Sequence, residues 1–217
     1  MVNFLKSIHT SHHLSPDFIK RICFINNIKS KFLTVILIVS ALFFSFYDIS
    51  VLQNTSDSHL FLLHLKADII FLVFSFIFAL YIYFNQVKTY HTIQKHHKYI
   101  HGTISLFILL WSTFKSVIFI KYSEGNYNLA IICILSTSLI YRFPFRVYFG
   151  QIALTIFFAL VLSLLYHFTI NEIVKSMYIL ILISFISLII SQSIFYLQHK
   201  ILLKEKEILR YRKRLIL

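Results

Sequence analysis

Six runs of apolar residues, set between short polar or basic stretches, constrain this chain more than any other feature. A helix that crosses the hydrocarbon of a bilayer needs ~20 mostly apolar residues, and it must close its own backbone hydrogen bonds because lipid offers no partners. The runs lie at about Phe32–Leu52 (helix 1), Leu60–Phe84 (helix 2), Ile104–Ile120 (helix 3), Asn128–Tyr141 (helix 4), Val147–Phe168 (helix 5) and Met177–Leu197 (helix 6). Helix 4 is short, and its length fits a tightly packed span or a re-entrant segment. The span is preferred, because six crossings give a consistent charge pattern. With 58% hydrophobic and 13% charged residues, the chain departs from the ~45–50% and ~25% of soluble domains. The expected fold class is all-α, a polytopic membrane protein. It has a six-helix transmembrane bundle, an N-terminal interfacial helix and a C-terminal coiled-coil-like helix continuing helix 6.

Lys and Arg collect in loops that stay in the cytoplasm. With residues 1–31 placed there, 17 of the cations fall on the cytoplasmic side: five in the N-terminal segment, three between helices 2 and 3, Arg142 and Arg146, and seven in the tail. The opposite loops hold only Lys121 and Lys175, and Lys66 and Lys115 lie within helices. Both ends are therefore expected in the cytoplasm. The net charge of +13 follows from this sorting and does not call for nucleic acid. Cys23 and Cys133 form no CxxC motif or disulfide framework. The N-terminal residues lack the apolar core and small-residue cleavage site of a signal peptide.

Three segments result: a cytoplasmic amphipathic stretch at 1–31, the transmembrane domain at 32–197 and a cytoplasmic signalling helix at 198–217. Residues 15–28 read as a helix lying on the inner leaflet. Ser15 suits its cap and Pro16 its first turn, and Phe18, Ile22 and Ile25 share one face. Beyond helix 6 the chain has no Gly or Pro from Ser191 to Leu217. Ile194, Ile201, Ile208 and Leu215 recur every seven residues, as do Phe195, Leu202, Leu209 and Ile216. Leu197 and Tyr211 occupy intermediate seam positions, with Lys204 as the polar exception. Such a heptad row with a charged outer face favours a parallel coil with a second copy, the alternative being a basic helix on anionic lipid. Ile194, Leu197, Ile201, Ile208, Tyr211 and Leu215 are the expected relay positions.

This order of parts resembles the N-terminal membrane sensor modules of bacterial signalling proteins, which precede diguanylate cyclase, class III adenylate cyclase or histidine kinase domains. Arg142-Phe143-Pro144-Phe145-Arg146 is similar to the Arg/Pro-containing turn often found between helices 4 and 5 there. Glu205-Lys206-Glu207-Ile208-Leu209-Arg210-Tyr211-Arg212 is similar to the linker entering the output domain. The resemblance spans Phe32 to Leu217 and implies a sensor in the inner membrane of a bacterial cell, dimeric through helix 6 and its tail, that acts on a cytoplasmic kinase or cyclase. The chain stops inside the linker, so it is expected to be an excised module or a protein that partners through its tail. No enzyme activity is carried over.

Polar residues within the helices are the candidate site, because charge is costly in hydrocarbon. Asp48, His64, Lys66, Asp68, Lys115 and His167 fall at one level near the outer surface, where Asp48 or Asp68 can pair with Lys66 or Lys115. They form either an outward-opening pocket for a small ligand or a set of snorkelling lysines and acids in interfacial water. A haem between His64 and His167 is not expected, since nothing fixes their facing. His91, His96, His97 and His101, amid three lysines, read as a solvated basic loop rather than a metal site, as do His9, His12 and His13. No cofactor is expected, and no catalytic motif is present. A transporter or channel subunit, or a membrane anchor for a partner, are the alternative functions. Absent repeats and few Gly or Pro residues weigh against transport.

Overall fold

The computed structural model describes residues 16–52, 58–85, 87, 89, 92, 93, 95–123 and 128–216. Their six helices are α1 (Pro16–Leu52), α2 (Ser58–Phe84), α3 (Lys95–Ser123), α4 (Asn128–Ile140), α5 (Phe145–Leu165) and α6 (Ile170–Ile216). No strand occurs among the described residues. Five of the helices are long and apolar enough to cross a membrane; α4 is the exception. His9, His12, His13, Ser15 and His91 lie outside the described residues, and of His96 and Leu215 only the backbone is described.

α1 pairs along α2, α4 and α5 pack against α6, and α3 stands between the two groups, touching α1, α2, α4 and α5. The burial pattern follows from this order. Phe32, Val35, Val39, Phe43 and Phe46 on α1 are all exposed, as are Tyr178, Ile181 and Phe185 on α6. The interior instead holds hydroxyls, including Ser75, Ser105, Thr113, Thr137, Thr155 and Ser187. An apolar exterior around a partly polar interior suits a lipid surround, in which small polar residues let helices approach and bond. The chain is a multi-pass helical membrane protein.

Two elements differ from expectation. The segment 15–28 was expected as a separate interfacial helix, but α1 runs unbroken through it for 37 residues, about 56 Å. No Gly or Pro lies between Asp17 and Leu52 to end the helix. Its apolar face does not lie free on a membrane surface either. Phe18 and Ile22 are buried with Phe195 and Leu202 of α6, and Phe18 meets the Phe195 ring edge-on at 5.5 Å. The second difference is α3, which begins at Lys95 rather than near Ile104. His97 and His101 are consequently buried helical residues and not part of a solvated loop.

α6 is a single helix of 47 residues, about 70 Å long. A reciprocal cap starts it. The Thr169 backbone N–H donates to Glu172 Oε2 at 2.7 Å, and the Glu172 N–H donates to Thr169 Oγ1 at 3.4 Å. α4, with 13 residues, is only about 20 Å long. Its ends are satisfied by neighbouring helices. Ser116 Oγ accepts from the Ala130 N–H at 3.1 Å. Lys29 Nζ donates to the Ile140 carbonyl at 2.9 Å. Asn26 both donates to the Arg142 carbonyl at 3.1 Å and accepts from the Arg142 N–H at 3.0 Å. A short helix is tolerated at membrane depth when protein groups satisfy its ends in this way.

Candidate functional site

Asp48 lies four residues before the end of α1, Asp68 ten residues into α2 and Lys115 eight residues before the end of α3. At 1.5 Å per residue they lie about 6 to 15 Å inside the same end of the bundle. Each sits on the inward face of its helix, and the side chains of Asp48, Asp68 and Lys115 are 0% exposed. Lys115 Nζ is 2.5 Å from Asp48 Oδ2 and 3.1 Å from both oxygens of Asp68. His64, one turn before Asp68 on α2, is 1% exposed with Nδ1 3.5 Å from Asp48 Oδ2. Three helices are thus tied through one ammonium group.

Aromatic rings enclose the cluster. The Phe119 ring meets the His64 ring at 4.9 Å and lies 5.9 Å from Lys115 Nζ. One turn deeper on each helix stand Phe44, Phe71 and Trp111. Trp111 stacks on Phe71 at 3.9 Å and meets Phe44 edge-on at 5.4 Å. This apolar layer follows from spacing: each ring is three or four residues from a charged one, so each lies below it on the same face.

Four of the six candidate residues are therefore brought together, and two are not. Lys66 is exposed on α2. His167 is exposed in the turn after α5, where it adopts a left-handed backbone with φ 54°. Its N–H donates to the Leu164 carbonyl at 3.1 Å, and the Phe168 N–H donates to Ser163 at 3.0 Å, which ends the helix. His64 and His167 do not form a facing pair. Of the two readings of the intramembrane charges, snorkelling fails for Lys115, whose ammonium is enclosed and points at carboxylates.

A second polar centre lies at the opposite, cation-rich end. Ser30 Oγ lies 3.0 Å from His101 Nδ1 and 3.1 Å from the Tyr141 hydroxyl, all three buried. Gln151 donates to the Gly102 carbonyl at 2.9 Å and accepts from Ser105 at 3.3 Å. Beside them opens a cleft of about 350 Å³. Phe18, Ile22, Phe143, Val147 and Phe195 form its walls, and Asn26, His101, Arg142 and Gln151 supply polar edges. Arg142 Nε is buried and has no hydrogen-bond partner among the described residues. The sequence reading placed no site here. The available signal was the pair Asn26-Asn27 beside an apolar face, together with the Arg142–Arg146 turn.

Comparison with protein-family models, curated proteins and solved structures gives no match to this chain. The fold and the cluster define a class: a helical multi-pass membrane protein with an ion-paired interior. A particular function rests on the arrangement of its own residues.

Proposed function

We propose that this chain is a membrane-embedded sensor and signal transmitter, which relays a small cue read within the bundle through α6 to a cytoplasmic output domain or partner. Six crossings, with the cation-rich ends in the cytoplasm of a bacterial inner membrane, complete the reading. The observation that carries it is the continuity of α6, which packs on α4 and α5 and then runs without interruption into the charged tail. A helix with no break transmits rotation or translation from one end to the other.

The tail divides its two heptad rows. Phe195 and Leu202 are taken by Phe18 and Ile22 of α1. Leu197, Ile201, Ile208 and Tyr211 remain exposed, and Ile194 is half-buried. This open row matches the seam of a parallel homodimer. The test is a cyclase or kinase reporter fused after the tail, with one to four residues inserted within 198–205. Reporter output that follows the helical phase of the insertion supports transmission, and output indifferent to it sinks the reading.

The buried Asp48–Lys115–Asp68 cluster also favours a second reading, an ion-coupled transporter or channel subunit, because intramembrane ionisable residues often line ion pathways. Flux into liposomes that is lost in Asp68→Asn and Lys115→Ala would select it.

A further inference from the structure

We propose that the cleft at the cation-rich end binds an anionic amphiphile, with its apolar chain between the cleft walls and its carboxylate or phosphate on Arg142. The cleft volume of about 350 Å³ falls within the ~300–1,000 Å³ of small-molecule sites. Four helices and one turn build it. Phe18 and Ile22 come from α1, Leu106 from α3, Val147 from α5 and Phe195 from α6, with Phe143 from the turn after α4. Walls of this kind favour a run of methylene groups, because both surfaces leave water on contact.

The charges select the head group. Arg142 lines the cleft, and its Nε is buried without a hydrogen-bond partner among the described residues. Its Nη1 donates to the Ile140 carbonyl at 3.2 Å, and Lys29 Nζ donates to the same carbonyl at 2.9 Å. Neither cation makes an ion pair among the described residues. Among those residues no Asp or Glu lines the cleft, and Asp17, next to Phe18, is held by Arg21 and Lys206. Two part-buried cations therefore share one neutral acceptor and lack a counter-charge, which is costly unless an anion supplies it. A guanidinium recognises a carboxylate or phosphate through paired N–H donors, and the unsatisfied Nε–H is one such donor. A neutral ligand would leave that donor unsatisfied, and a cation would be repelled. A bare inorganic anion would leave the apolar walls uncovered. The cleft also adjoins the contact between Phe18 and Phe195, so an occupant touches α1 and α6 at once. That the amphiphile is the cue of the proposed sensor rests on the reading above; the site itself does not.

Photolabelling tests the site, on the full chain in nanodiscs of zwitterionic phosphatidylcholine. The probe is dodecanoate with a diazirine on its chain. Label is expected within 18–26, 99–106 and 142–151, suppressed by excess dodecanoate and not by dodecanol. Arg142→Gln is expected to lower labelling about tenfold, the loss of one charge-assisted hydrogen bond, and Arg142→Lys to restore part of it. Val147→Trp leaves every charge in place and is expected to fill the cleft and abolish labelling. Circular dichroism checks that each variant is folded. Label confined to other segments, equal competition by dodecanol, or unchanged labelling of folded Arg142→Gln and Val147→Trp overturns the proposal. Should Arg142→Gln fail to fold, Val147→Trp and the dodecanol competition decide. Discs containing phosphatidylglycerol identify the source. Suppressed labelling there assigns the site to an anionic phospholipid of the leaflet, and undiminished labelling to a free amphiphile. Specific labelling while the fused reporter ignores dodecanoate keeps the site and removes the amphiphile as the cue.

Discussion

The two ends of the bundle bury polar groups in opposite ways. At one end, Asp48, Asp68 and Lys115 meet as ions inside an aromatic enclosure, and the stability of each depends on the others being present. About 21 Å away along α3, Ser30 bonds with His101 and Tyr141, Asn26 with the Arg142 backbone just past α4, and Gln151 with Gly102 and Ser105, and an open cleft lies beside them. An ion cluster is an all-or-none device: remove one member and an unpaired charge is stranded. A hydrogen-bonded network degrades stepwise, one orphaned group at a time. The first arrangement suits a switch, and the second suits a scaffold.

Substitutions can break or sharpen this contrast. Lys115→Ala is expected to cost the most, about 3–5 kcal/mol, because it strands buried carboxylates. SDS unfolding monitored by circular dichroism measures it, and Asp68→Asn in the same chain should recover part of the loss. Asn26→Ala, at the other end, orphans one backbone donor and one acceptor at Arg142, with an expected cost of about 1–3 kcal/mol by the same assay. If it proved more damaging than Lys115→Ala, the contrast would be reversed.

Smaller effects are expected outside both centres. Asp17 pairs with Lys206 at 2.9 Å and with Arg21 at 3.7 Å, all partly exposed. Asp17→Asn should therefore cost about 0.2–1 kcal/mol and become silent at high salt. His167→Gly should be neutral or slightly stabilising in thermal melts, since glycine accepts the left-handed backbone without strain. A large loss there would return His167 to the list of functional side chains.

Most of the helical frame was legible in the sequence, because apolar runs and their breakers are local signals. Pro144 and the Tyr141–Pro144 turn separate α4 from α5, and the absence of Gly and Pro beyond Ser191 foretold the length of α6. The depth of the ionisable residues could also be counted, which put Asp48, Asp68 and Lys115 at one level. Which of them face one another depends on helix rotation, and for that reason Lys66 and His167 were grouped with a cluster they do not join. The inner centre was hidden for another reason. His101 and Asn26 look like ordinary loop and surface residues until α1 and α3 are seen to begin early and pack together. The capping pair Thr169 and Glu172, of which the apolar runs give no sign, explains why α6 starts seven residues before the apolar run.

The clasp between the start of α1 and the far part of α6 has a consequence for how the molecule is made. Arg21 reaches Glu205 across 184 positions of sequence, so the partner of the earliest described helical turn emerges from the ribosome long after it. Until then Phe18 and Ile22 have no α6 surface to cover them, and the inner leaflet is the natural temporary cover for such a face. Closing so long a loop is entropically costly, so the clasp is expected to be among the last contacts formed during biogenesis. It would then act as a check that the intervening helices have inserted in the correct order.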